Sequence, residues 1–173
     1  LMQEMMRRGQ LEEAAGLLEK ISVGQDTFAQ QLVLNAIEAR KFDIAIKVVD
    51  ARIAAAGNDA DSRRRWQVQK IQLLNVQGKR DEALAVAARF HADFPDDHEL
   101  AGMYVAMLIL NKRLDEAVKA AQAAYDRDPE LAELYFQALR AARQYDKALD
   151  LADRQIKAER DPQAVESWRM QRV

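Results

Sequence analysis

Five times along the chain the same six-residue unit returns. Gly9-Gln10-Leu11-Glu12-Glu13-Ala14, Arg40-Lys41-Phe42-Asp43-Ile44-Ala45, Gly78-Lys79-Arg80-Asp81-Glu82-Ala83, Lys112-Arg113-Leu114-Asp115-Glu116-Ala117 and Arg143-Gln144-Tyr145-Asp146-Lys147-Ala148 share a polar or glycine-containing pair, charged residues and a final alanine. The alanines are separated by 31, 38, 34 and 31 residues. A period of that length holds one helical hairpin per copy, so the chain reads as stacked hairpins with no strand.

Each copy continues with an apolar stripe at helical spacing: Phe42, Ala45, Ile46, Val49 and Ile53; Leu114, Ala117, Val118, Ala121 and Tyr125; Tyr145, Ala148, Leu149, Ala152 and Ile156. Upstream of each unit lies a first helix: Leu1–Arg8, Thr27–Ala39, Arg63–Gln77, His98–Asn111 and Glu130–Ala142. A tight turn joins the two, with Gly9 and Gly78 in two copies and the pairs at 40–41, 112–113 and 143–144 in the others. Alanine at the crossings lets helix axes approach to about 8–10 Å without a void. Pro95, Pro129 and Pro162 mark the joints between copies, each expected in the first turn of the next helix. The long 38-residue interval is expected to be absorbed by a polar loop over Ala56–Ser62, with Asp61 or Ser62 as the following N-cap.

These residues resemble the tetratricopeptide repeat (TPR) family, most closely at KRLDEA, GQLEEA and RQYDKA and at the joint prolines Pro95 and Pro129. The usual early tryptophan is absent, and Val33, Ile71, Val105 and Phe136 stand where the family carries a small residue, which marks a divergent subclass. The resemblance implies an all-α, right-handed superhelical solenoid of antiparallel helix pairs. About five repeats divide residues 1–173 at about 1–24, 25–60, 61–96, 97–129 and 130–161, with 162–173 a cap or partial next helix. In that family the first helices line a concave groove. Carried over residue by residue, the groove positions include Gln30 and Leu34; Arg65, Gln69, Gln72 and Asn75; Gly102, Ala106, Ile109 and Leu110; and Glu133, Gln137 and Arg140. The lysine and asparagine clamp that chaperone-binding TPR proteins close on a C-terminal carboxylate is not reproduced.

Chemistry finds little purchase. The chain has no cysteine, and its 26 basic and 28 acidic residues are interspersed, so neither a thiolate site nor a field for nucleic acid exists. Its longest apolar run, near Met103–Leu110, falls short of the roughly 18 residues that span a bilayer. Ser22, Ser62 and Ser167 lie in no nucleophile motif, and no glycine-rich phosphate loop occurs. The segment His91–Glu99, with two histidines and four carboxylates, is the most ligand-like cluster. Its register argues for structure instead: His91 sits where other copies have Ile53, Tyr125 and Ile156, and Asp96, Asp97 and Glu99 suit a helix start. Arg63, Arg64 and Arg65 beside Trp66 could stack on and neutralise a nucleic acid, but on a helix they point three ways. No catalytic residue, cofactor or metal is therefore expected.

The expected function is a non-catalytic protein-protein interaction scaffold with a protein or peptide partner. In composition the chain is similar to the TPR arrays of bacterial exopolysaccharide export and assembly proteins, which implies an envelope complex and favours a periplasmic over a cytoplasmic location. The alternative is a cytoplasmic sensory module that binds a signalling peptide. Leu1-Met2-Gln3-Glu4-Met5-Met6-Arg7-Arg8 reads as the tail of a helix already under way, so a segment of a longer protein is expected.

Overall fold

All five six-residue units open with the same backbone device. In a computed structural model the residue five before each anchoring alanine is left-handed, with φ of 72° at Gly9, 57° at Arg40, 79° at Gly78, 59° at Lys112 and 58° at Arg143. The next N–H then reaches back five residues: Gln10 to Met5 O, Lys41 to Ala36 O, Lys79 to Leu74 O, Arg113 to Leu108 O and Gln144 to Leu139 O, at 2.7–2.9 Å. In four copies the left-handed residue itself donates three residues back, Arg40 to Ile37 O, Gly78 to Asn75 O, Lys112 to Ile109 O and Arg143 to Arg140 O. This is a Schellman closure, which satisfies the last carbonyls of the first helix while reversing the chain.

The structure describes residues 2–19, 26–158 and 160–171, which contain helices and turns and no strand. Leu1, Ser22, the joint near residue 24 and the last two residues lie outside them. The chain forms two compact units, 1–86 and 87–173. The first holds α1 (Met2–Arg7), α2 (Leu11–Glu19), α3 (Asp26–Glu38), α4 (Phe42–Ala55), α5 (Ala60–Val76) and the start of α6 (Arg80–Asp93). The second holds the rest of α6, then α7 (His98–Leu110), α8 (Leu114–Arg127), a 3-10 turn at Pro129–Leu131, α9 (Ala132–Ala141), α10 (Tyr145–Ala158) and α11 (Pro162–Gln171).

In the first unit α4 packs against both α3 and α5. Its core gathers Leu18, Leu32, Val33, Val48, Val49 and Trp66 around Ala14, Ala29, Ala36 and Ala45. These four alanines are wholly inaccessible. A larger side chain at such a crossing would have to displace a helix, at about 1–3 kcal/mol. In the second unit α8 packs between α7 and α9, and α10 between α9 and α11, over Leu100, Val105, Leu108, Ala117, Ala121, Phe136, Leu139 and Leu151. Val33, Ile71, Val105 and Phe136, the bulky residues at expected small positions, are all buried.

Three expectations change. The extra residues of the long interval do not form a loop through Ser62: α5 begins at Ala60 and runs 17 residues, against 13 in α3 and α7. Asp59, not Asp61 or Ser62, is its N-cap and accepts from Ser62 N–H at 3.0 Å. The reason is tertiary, because Ser62 is buried and its hydroxyl donates to Asp26 at 3.4 Å. Pro95 does not enter the first turn of α7; it occupies the turn closed by Asp97 N–H to Phe94 O, while Asp97 caps α7 through Leu100 N–H. Finally, Tyr145 and Leu149 of the α10 stripe are exposed, at 57% and 40%, although the register mates of Leu149, Leu84 and Val118, are 6% and 7% exposed. Among the described residues, α11 lies against α9 and α10 without covering that stretch.

Candidate partner-binding faces

The first unit is held by a buried charge. Arg52 falls on the apolar stripe of α4, seven residues after Ala45, and is only 5% exposed. Its guanidinium donates Nε and Nη2 to Asp26 Oδ1 at 3.1 and 2.9 Å, and Asp26 Oδ2 also meets Ser62 Oγ and, at 3.8 Å, Arg65. Asp26 thereby ties α3, α4 and α5 at one point. Sequence reasoning missed Arg52, although a cation at a stripe position signals a buried pair.

That hub places the α3 and α5 starts side by side. Of the groove positions on these helices, Gln30 and Gln72 are exposed, Leu34 is 52% exposed, and Gln69 and Asn75 are half-buried. Arg65 is exposed but engaged with Asp26. Arg63 donates to the Gly57 carbonyl, and Trp66 is 2% exposed. The indole is therefore in the core, unavailable to stack on a base.

In the second unit α7 and α9 touch, and the groove positions on α7 are of a different kind. Ala106 is exposed, Gly102 and Ile109 are half-buried, and Leu110 is exposed. A Cβ built on Gly102 would meet nothing within 4 Å. On α9, Gln137 Nε2 donates to Glu133 Oε1 at 2.9 Å, and the Arg140 guanidinium lies 5.8 Å from the Phe136 ring centroid. Trp168 from α11 and the same Phe136 ring stand T-shaped with centroids 5.5 Å apart.

A concavity lies where sequence reasoning did not look. An open groove of about 1090 Å³ in the first unit is lined by Leu18, Ile46, Ala54, Ala55, Leu74, Ala85 and Val86, chiefly from second helices. Its rim carries the ion pairs Lys70–Asp50 at 2.6 Å and Lys79–Glu82 at 3.9 Å. The spacing of α2, α4, α5 and α6 creates it, so no local motif announces it.

The histidine-rich segment comes apart in space. His91 is half-buried and stacks on Tyr104 with centroids 5.4 Å apart. Burial first, then the Arg127 charge, pushes its imidazole below the usual histidine range, against an opposing pull from Asp97. His98 turns to the next joint and meets Asp128 at 2.8 Å. Tyr135 stacks on Tyr125, whose hydroxyl accepts from Gln155 at 3.0 Å, and burial pushes the Tyr135 hydroxyl up. On the surface, the Arg113 guanidinium hydrogen-bonded to Glu116 holds that carboxyl below its ordinary value.

No protein-family model and no curated protein matches the chain. Solved structures do. The crystal structure of YrrB, described as a TPR protein with an unusual peptide-binding site, matches 98% of this chain and 88% of its own with TM-score 0.56 at 16% identity. The crystal structure of a variant of nearly identical TPR-like repeats, from a Podosopora anserina protein assigned as a kinesin light chain, matches 93% of this chain and 94% of its own with TM-score 0.57 at 16% identity. The chain has the TPR fold. In TPR terms α3, α5, α7 and α9 are first helices and α4, α6, α8 and α10 are second helices, each pair closed by the Schellman turn described above.

Proposed function

We propose that the chain is a non-catalytic interaction scaffold that receives an extended peptide or a partner helix on the first helices of its second unit. The floor is Gly102, Ala106, Ile109 and Leu110 of α7, and the flank is Glu133, Gln137 and Arg140 of α9. The observation that carries this reading is the openness of the small residues. An alanine or glycine at a helix crossing is buried, as Ala117 and Ala121 are, yet Ala106 is exposed and Gly102 has room for a side chain. Their smallness leaves a shallow apolar floor, and apolar surface of this kind on a helix face suits an amphipathic or extended ligand. The half-buried Met103 beside Gly102 adds an adaptable wall.

The test is capture of partners by the immobilised chain, followed by affinity measurement on Ala106→Arg and Gln72→Ala. Ala106→Arg is expected to weaken binding at least about tenfold, because a guanidinium placed on the floor displaces apolar contact area. Its melting temperature should stay near that of the parent, since the position is exposed. Retention of every partner by both variants would remove the first-helix faces from consideration. Loss on Ala54→Arg alone would move the site to the groove between second helices.

The biological setting we propose is a bacterial envelope assembly, in which the array recruits a polysaccharide-modifying enzyme or lines an export path. It rests on the alanine-rich and arginine/aspartate-rich composition and on the absence of cysteine. Fractionation of cells that make the protein decides the location: recovery with periplasmic markers supports the envelope setting, and recovery with cytoplasmic markers favours the sensory module.

A further inference from the structure

The sequence presents His91–Glu99 as a ligand-rich run, but folding selects one member of it and supplies the others from about 30 residues away. His98, the first residue of α7, brings Nε2 to 2.8 Å from Asp128 Oδ2. Glu130 completes a group whose three potential ligand atoms all lie within 4.8 Å of one another. From this geometry we infer a divalent transition-metal site, of zinc class, built from His98, Asp128 and Glu130.

The donor set is one imidazole nitrogen and two carboxylate oxygens, a combination that borderline first-row cations accept. Zinc binds such atoms at about 2.0–2.2 Å, so the edges of a tetrahedral site are about 3.3 Å long. His98 and Asp128 need only open by a fraction of an ångström to admit the ion. The remaining closure falls to Glu130, an exposed side chain that can change rotamer freely. Asp128 is already fixed: its Oδ1 accepts from Glu130 N–H at 2.9 Å, and its extended backbone leads into Pro129. The cap consumes one carboxylate oxygen and leaves the other for the cation. Two carboxylates supply anionic donors beside the imidazole, and the exposed side leaves a fourth position for water. Bound metal joins the start of α7 to the joint that precedes α9. This inference stands independently of the partner reading, because none of its ligands belongs to the proposed floor.

The experiment uses untagged protein. Zinc affinity is measured by competition with a chromophoric chelator, and Co2+ serves as a probe through the intensity of its visible absorption, which is high in a tetrahedral site. Wild type is expected to bind one equivalent saturably. Glu130→Gln should weaken binding at least about tenfold, as loss of one ligand charge does, and His98→Ala should abolish it. His91→Phe, which leaves all three ligands in place, should bind as wild type does. Imidazole NMR resonances of His98, and not of His91, should move on zinc addition, a readout independent of any variant's folding. Absence of saturable binding up to about 1 mM zinc, or wild-type binding by His98→Ala, would overturn the site.

Discussion

The residue that closes each hairpin carries a cost in three copies out of five. Arg40, Lys112 and Arg143 are left-handed at φ of 57–59°, the conformation that Gly9 and Gly78 adopt without a Cβ. Lys112→Gly and Arg143→Gly are each expected to raise stability by about 0.5–1 kcal/mol, the relief of strain exceeding the added freedom of the unfolded chain. Urea unfolding with an unchanged slope checks this. Gly78→Ala should move the other way by about 1–2 kcal/mol. His91 makes a pH-dependent contribution of known sign. Its folded pKa is depressed by burial and by Arg127, with Asp97 opposing, so the unfolded chain binds the proton more readily. The native state then keeps its full advantage above the unfolded value near 6.5 and loses it as pH falls through the lower folded value. His91→Phe retains a ring against Tyr104 without a titrating group. The stability difference between variant and wild type should therefore grow in the variant's favour from about pH 7 to about pH 5, and a pH-independent difference would refute this account of His91.

At the scale of the helix, Asp26 and α7 show two uses of sequence that local propensity does not capture. Removing the Asp26 carboxylate leaves Arg52 buried and uncompensated, so Asp26→Ala is expected to cost about 3 kcal/mol. Arg52→Met removes the charge with its partner still partly solvated, and its cost should be under about 1.5 kcal/mol. Denaturant midpoints of the two variants give the comparison, and equal costs would mean that Arg52 finds another partner when Asp26 is lost. In α7, Gly102 has no packing reason to be glycine, because a Cβ there meets open space. Gly102→Ala should stabilise α7 by about 0.5–1 kcal/mol, readable as a higher unfolding midpoint. If the floor receives a ligand, the same change narrows it, so binding and stability should move in opposite directions.

At the scale of the molecule, each helix is stabilised chiefly by its immediate neighbours, and protection should follow burial. In α11 no described residue is buried, whereas α4 buries Ile44, Ala45, Val48, Val49 and Arg52. Amide hydrogen exchange is expected to be faster throughout α11 than in α4, with the α10 face around Tyr145 and Leu149 giving little help. Uniform exchange across the chain would show that it unfolds as one cooperative block, against the expectation for repeated hairpins.

The repeat made the helix pairs, their turns and their alanine crossings legible, because all three depend on interactions within a few residues. The bond that closes each first helix spans only five positions, as from Arg113 to Leu108, and a stripe of helical period is local by construction. Long-range contacts were not legible. The extra turn of α5 exists because Ser62 reaches Asp26, 36 residues earlier; Trp66 is withdrawn from solvent by packing against other helices; and His98 finds Asp128 across a whole hairpin. By itself the sequence determined which segments become helices and where they reverse. Only the tertiary structure decided which charges are buried, which small residues stay open and which side chains converge, because those outcomes depend on how separate helices are spaced in three dimensions.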